Sequence, residues 1–257
     1  MTTLPYRLDR TVTIMASRET VFQFFTDSAR WASWWGAGST IEARPGGPVY
    51  IRHPNGVETL GEVVEVQSPE RIVFTYGFAS GKPIPPGSSR VTIRLHEEAG
   101  GTRLDLAHEF GDAAARDEHV QGWRFQLSLF ANVVANEAHA GAAELVDAWF
   151  TAWAEPQDGK RVQALSKITT PGIRFRDRFS LLDGQADLTA HIAASLRFMR
   201  GIRLHRKGDI RHCQGMVLAD WSAVGDAGKE LASGTSVFSL VADGRIDSVT
   251  SVRNEPA

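Results

Sequence analysis

Apolar and polar residues alternate along Arg10-Thr11-Val12-Thr13-Ile14, the period of a strand with one buried face. Ser17 then opens Ser17-Arg18-Glu19-Thr20, a helix start with an acid in its first turn. The helix is strongly apolar through Val21, Phe22, Phe24 and Phe25 and is expected to end near Asp27-Ser28. Alternation resumes over residues 57–66, 71–76, 90–95 and 102–110. Gly100-Gly101 predicts a tight hairpin between the last two, and Pro83, Pro85, Pro86 and Gly87 predict a loop between Tyr76 and Arg90. From Ala113 to Glu137 the period becomes helical, with Val120, Trp123, Leu127, Phe130 and Val134 on one stripe. Phe125, Leu129 and Val133 form a second stripe, so this helix is expected to pack on more than one side.

The pattern then starts afresh. Residues 144–154 place Leu145, Val146, Trp149, Phe150 and Trp153 on one broad helical face, and residues 160–167 predict a short second helix. Pro171-Gly172 resets the chain before an alternating strand, Ile173-Arg174-Phe175-Arg176-Asp177. Residues 187–199 read as a helix capped by Asp187, and residues 202–213, 216–224, 231–241 and 245–252 as strands with turns at Gly215 and Asp243-Gly244. Helices followed by strands, without regular βα alternation, point to the α+β class. Two domains in tandem are expected, 1–139 and 140–257, joined at Ala138-His139-Ala140-Gly141-Ala142.

Composition narrows the function. The 257 residues, 42% hydrophobic and 23% charged, are ample for two cores. The formal net charge of −2 draws the chain toward neither nucleic acid nor an anionic membrane. The basic run Arg197, Arg200, Arg203, Arg206, Lys207, Arg211 spreads over a helix end and a strand without interleaved aromatics, the pattern of a solvated face. No apolar run approaches the roughly 18 residues of a membrane span. The opening Met1–Arg7 lacks the apolar core of a signal peptide, so a cytoplasmic location is expected. The single Cys213 excludes an internal disulfide, and His53, His96, His108 and His119 lack metal-ligand spacing. Glycine-rich nucleotide loops, His-Glu-x-x-His and Gly-x-Ser-x-Gly are absent, so neither cofactor nor metal is expected.

Phe24-Phe25-Thr26-Asp27, Trp31, Trp34-Trp35-Gly36, Gly61-Glu62-Val63-Val64-Glu65-Val66, the run from Pro69 to Tyr76, and Gly122-Trp123 together resemble the activator of Hsp90 ATPase homologue family, within the START-like (SRPBCC) superfamily. The likeness covers roughly residues 8–138 and implies a β-α-α-β6-α helix-grip fold around an apolar cavity. Members of that family differ in function, so ligand binding and a chaperone- or protein-interaction role both stay open. In the second half, Phe175-Arg176-Asp177, Asp183-Gly184-Gln185-Ala186-Asp187-Leu188 and Asp243-Gly244-Arg245-Ile246 resemble the SnoaL-like and nuclear transport factor 2-like superfamily. That resemblance covers roughly residues 141–254 and implies a cone-shaped α+β barrel with a deep pocket, and commonly a homodimer through its sheet.

Candidate site residues follow. Strand parity puts His108 on the face of Leu104, Leu106 and Phe110, and Tyr76 on that of Ile72 and Phe74. These two are expected polar groups in an apolar wall, either touching a ligand or satisfied in the core. Trp35 and Trp123 join them as ligand-binding candidates, with Trp34-Trp35 either a lid or a packed corner. In the second half Trp149, Trp153 and Trp221 are the expected lining. The resemblance implies a carboxylate base at the place of Asp177; parity puts it on the inward face of Ile173 and Phe175, and His212 is its candidate partner acid. The leading expectation is a protein that binds small apolar or amphipathic molecules. The alternative is an isomerase-, cyclase- or hydratase-type enzyme using Asp177.

Overall fold

β1 runs over Tyr6–Ile14, longer than the alternation suggested, with Leu8 and Ile14 buried. The computed structural model, which describes residues 3–254, then places α1 at Arg18–Gln23. Ser17 Oγ accepts the Thr20 N–H at 3.2 Å. Asp27-Ser28 does not close the helical region but opens α2, Ser28–Trp35, with Asp27 Oδ1 accepting the Arg30 N–H at 2.8 Å. An aspartate that satisfies a free helix-end N–H starts a helix as readily as it punctuates one. β2 (Thr40–Ile41), β3 (Pro48–Arg52), β4 (Glu58–Gln67), β5 (Arg71–Tyr76), β6 (Ser89–Glu98), β7 (Gly101–Phe110) and α3 (Ala113–Ala138) follow. β2 and β3 carry no long alternation and escaped the sequence reading.

These strands form one sheet in the order β1-β7-β6-β5-β4-β3-β2, every neighbouring pair antiparallel. At Gly61 of β4 a Cβ would lie 1.8 Å from the Thr75 carbonyl oxygen, so only glycine permits this approach of β4 to β5. The core is aromatic: the Trp34 ring lies 4.4 Å from Trp35 and 4.7 Å from Phe130. Trp34-Trp35 is thus a packed corner at the end of α2. The second stripe of α3 departs from expectation, since Phe125 is 69% exposed. Gln126 is buried instead, and its amide donates to the Trp34 carbonyl, one of the acceptors a helix end leaves free.

The chain divides by its contacts into two units, the first ending at Ala135 and the second beginning at Asn136. The second unit holds α4 (Ala142–Ala154), α5 (Asp158–Ile168), β8 (Thr169–Arg176), β9 (Leu181–Asp183), α6 (Gly184–Phe198), β10 (Arg203–Cys213), β11 (Met216–Val224), β12 (Glu230–Leu240) and β13 (Ile246–Arg253). Its sheet runs β10-β11-β12-β13-β8-β9, antiparallel except where β13 meets β8 in parallel. Among the described residues the architecture is therefore mixed, with six helices and two sheets.

Two local expectations are corrected here. Pro171-Gly172 does not reset the chain: both lie within β8, where the pairing with β13 is interrupted between Ile246↔Thr169 and Ser248↔Arg174. A proline without a donor fits such a gap in the ladder. α6 begins at Gly184, so Asp187 sits in its first turn rather than at its cap. Three of the six residues of the basic run are paired along the surface: Arg206 with Asp147 at 2.8 Å, Lys207 with Glu230 at 3.1 Å and Arg211 with Asp220 at 3.3 Å. No helix among the described residues is long and apolar enough to cross a membrane.

Candidate functional site

In β8 the alternation holds: Ile173 and Phe175 are buried while Arg174 and Arg176 are exposed. Asp177 follows directly, half-buried, and lines a cavity of about 360 Å³ together with Trp149, Trp153, Phe175 and Trp221. A volume of this size lies within the range of small-molecule sites. Trp149 and Trp153 reach it from α4 because they lie four residues apart on one helical face; their rings are 6.0 Å apart, and Trp153 packs against Phe175 at 5.3 Å with the ring planes tilted. Trp221 comes from β11, directly across from Gly234 of β12. Polar lining is sparse. Asp177 Oδ1 accepts the Phe179 N–H at 2.8 Å and its own N–H donates to the Ser180 carbonyl, so the carboxylate also shapes the turn into β9.

Ser236 and Ser251 line the same cavity, with Ser236 Oγ donating to Ser251 Oγ at 3.0 Å. Neither serine is among the site residues expected from sequence, although Ser236 alternates with the buried Phe238 and Leu240 and parity turns it inward. Phe179, Met199 and Leu231 line the cavity while remaining exposed, which gives it an apolar rim.

His212 is placed differently from its expectation. It is not among the residues lining this cavity; it sits near the end of β10, in a chain of side chains with His139 and with Asn136 of α3. His139 Nε2–H donates to the Val241 carbonyl at 3.0 Å, which leaves His139 Nδ1 to accept from His212 Nε2–H at 3.3 Å. His212 Nδ1 then faces the Asn136 side-chain amide. Burial lowers the pKa of both imidazoles, and for His212 the neighbouring His139 adds to the effect. Sequence alone offered His212 as a lining residue because it lies on a strand adjacent to that of Trp221, but β10 is the edge strand of the sheet and His212 meets His139 and Asn136 instead.

In the first unit the four predicted residues come together. Trp35, Tyr76, His108 and Trp123 are all buried. Trp123 Nε1–H donates to His108 Nδ1 at 2.9 Å; an indole can only donate, so His108 carries its proton on Nε2. That N–H donates to Ser89 Oγ at 2.8 Å, and Ser89 donates onward to the Tyr76 carbonyl at 2.8 Å. Burial, with a smaller contribution from His119, holds the His108 pKa well below its ordinary value, so the ring stays neutral. Burial raises the Tyr76 hydroxyl far above its usual range, opposed by Thr59. His119 donates from Nδ1 to the Ala115 carbonyl at 2.6 Å, which leaves its buried Nε2 without a partner. Trp35 Nε1 and His53 Nε2 are likewise buried and unpartnered. The Trp35 ring lies 5.7 Å from both His53 and Trp123, while Tyr76 lies 5.4 Å from His108 and 5.9 Å from His119. Among the described residues, no three His, Cys, Asp or Glu side chains are grouped to hold a metal ion.

Comparison with solved structures places the chain beside several bacterial proteins. A SnoaL-like family member from Agrobacterium tumefaciens is 24% identical over 46% of this chain and 99% of its own, with a TM-score of 0.43. CV1439 from Chromobacterium violaceum is 24% identical over 51% of this chain and 98% of its own, at 0.44. CalU16 from Micromonospora echinospora is 24% identical over 51% and 77%, at 0.42. No functionally curated protein matches the sequence. Residues 15–135 match the family model described as Activator of Hsp90 ATPase homolog 1-like protein, and through this segment the chain resembles that family.

Proposed function

We propose that the chain binds small apolar or amphipathic molecules, with its best-formed site in the second unit. The cavity of about 360 Å³ carries this reading: tryptophans and aliphatic side chains build its walls, its rim is apolar, and its polar groups are few. Such a site excludes water from an apolar ligand while a handful of polar groups fix its orientation. We read residues 140–257 as a cone-shaped SnoaL-like domain and residues 1–139 as a START-like helix-grip domain. The first unit supports the same function from its own interior. Its unpartnered Trp35 Nε1, His53 Nε2 and His119 Nε2 are polar atoms that a guest molecule or water would satisfy. Native mass spectrometry and tryptophan fluorescence with lipids, polyketides and aromatic acids test the reading. Binding that weakens in Trp153→Ala or Trp123→Ala supports it, and silence across the panel refutes it.

A second reading rests on the place of Asp177 in that cavity. A carboxylate beside apolar walls suits abstraction of an acidic C–H proton from an enolisable carbonyl compound. Asp177→Asn keeps an oxygen for the Phe179 N–H but cannot take up a proton at neutral pH. Loss of turnover on enolisable ketones or epoxides with ligand affinity retained supports a base; unchanged turnover removes Asp177 from the mechanism.

A further inference from the structure

β8 and β13 separate at the mouth of the cavity. Their parallel pairing ends at Thr250↔Arg176, yet β13 runs on to Arg253. The chain leaves β8 through a turn closed by the Asp177 N–H, which donates to the Ser180 carbonyl at 3.0 Å. Where the strands part lies a second hollow of about 310 Å³, which shares Asp177, Arg178, Ser251 and Arg253 with the apolar cavity and adds Arg176. The two hollows adjoin and differ in chemistry, with aromatic and aliphatic walls inside and guanidinium groups at the opening.

Strand alternation decides which arginine can reach a guest. Ser251 and Arg253 follow the buried Val249 at steps of two, and both line the cavity. Arg176 alternates with the buried Phe175 and lines only the outer hollow. Arg174 of the same strand pairs with Asp247 at 3.4 Å, whereas Arg176 and Arg253 are exposed and pair with no carboxylate among the described residues. Asp177 is the one acid among the described residues lining either hollow, and its Oδ1 is turned to the Phe179 N–H at 2.8 Å. Leaving aside Arg178, whose guanidinium lies 5.3 Å from the centre of the Phe179 ring, two cations stand at the opening against one carboxylate. Positive charge is therefore within reach of solvent and guest at the mouth, and there is none inside.

We infer that the occupant of this cavity is an amphipathic carboxylate, its apolar body among the tryptophans and its anionic head at the mouth on the guanidinium of Arg253. The inference rests on the reading of the cavity as a ligand site and names the ligand's charged group and the side chain that receives it. A carboxylate drawn in among apolar walls loses its hydration without compensation, so the head stays where the opening meets solvent. There a guanidinium matches the two carboxylate oxygens with parallel N–H donors. A single negative charge fits this mouth better than a double one, because Asp177 lines the same opening and repels each charge that enters.

The test measures calorimetric affinities of the intact chain for 3-(2-naphthyl)propionate and its amide, which match in shape and differ in charge. The Arg253 side-chain Nε–H resonance is followed in the ¹⁵N-labelled protein. Expected is a carboxylate binding roughly 3- to 10-fold tighter than the amide at about 0.01 M salt, an advantage that fades toward about 1 M. The Arg253 resonance moves with the carboxylate and not with the amide. In Arg253→Gln the carboxylate falls to the level of the amide, while amide affinity stays within about twofold of wild type. Should that variant fail to fold, the wild-type resonance decides. An amide that binds as tightly as the carboxylate at low salt overturns the inference and leaves the cavity reading intact. So does a carboxylate advantage that survives Arg253→Gln or leaves the Arg253 resonance unmoved, which assigns the charge to another cation. Failure of both probes to bind removes the cavity reading itself, and the inference with it.

Discussion

Replacing His108 by leucine tests the buried network of the first unit. The imidazole is fully buried and makes two hydrogen bonds, accepting from Trp123 Nε1–H at 2.9 Å and donating to Ser89 Oγ at 2.8 Å. Leucine fills the space but strands the indole N–H, which costs about 1–3 kcal/mol for an unsatisfied buried donor. Loss of the bond to Ser89 adds about 0.5–1.5 kcal/mol, since Ser89 keeps its own donation to the Tyr76 carbonyl. The total for His108→Leu is roughly 1.5–4.5 kcal/mol. In a Trp123→Phe background no indole N–H remains to be stranded, so the same leucine substitution costs about 1–3 kcal/mol less. Urea unfolding of the wild type, both single variants and the double variant yields this coupling directly. Hydrogen exchange of the β7 amides assigns the transition to the first unit, because the two units need not unfold together. Additivity within about 0.5 kcal/mol would refute the reasoning, for it would mean that the Trp123–His108 bond contributes nothing.

Acid should destabilise the chain through its buried histidines. Burial lowers the pKa of His53, His108, His119, His139 and His212, so below the ordinary value of 6.5 the unfolded chain binds protons that the folded one refuses. Stability is full above pH 6.5 and falls as the pH drops from there toward the folded-state values, by up to about 1.4 kcal/mol per pH unit for each such group. Urea midpoints between pH 8 and 5 check this, with a shallower slope expected in His108→Leu; a midpoint that rises on acidification contradicts it. Gly234→Ala places a methyl 2.2 Å from the Val252 carbonyl oxygen and against the Trp221 ring. It should cost about 1–3 kcal/mol and weaken ligand binding in the second unit, and a thermal melt within a degree of wild type would disprove that geometry. Arg206→Ala removes a pair with the half-exposed Asp147 and should cost no more than about 1 kcal/mol, less at high salt, as a melt in low and high salt will report.

Much of the chain's local order was legible as period. The alternation of β5, β6, β7, β11 and β12, and the helical spacing of Trp149 and Trp153, follow from which side chains must leave water, and that demand acts residue by residue along one segment. The same rule put His108, Tyr76 and Trp123 indoors, and Asp177 beside Phe175. Short strands such as β2 and β9 were not legible, because two or three residues hold no period and pair only when a neighbour's edge is already in place. Nor was the role of Pro171-Gly172, which depends on an interruption in pairing with β13, some 75 residues away in sequence. Asp27 carried the chemistry of a helix cap, but the period of the segment did not show the second helix, whose Trp31, Trp34 and Trp35 are packed into an aromatic core. The tertiary structure alone determined that Trp153 and Trp221 share a cavity while His212 lies outside it. A hydrogen bond needs a partner brought within about 3 Å, and partners on separate elements are placed by the fold, not by periodicity.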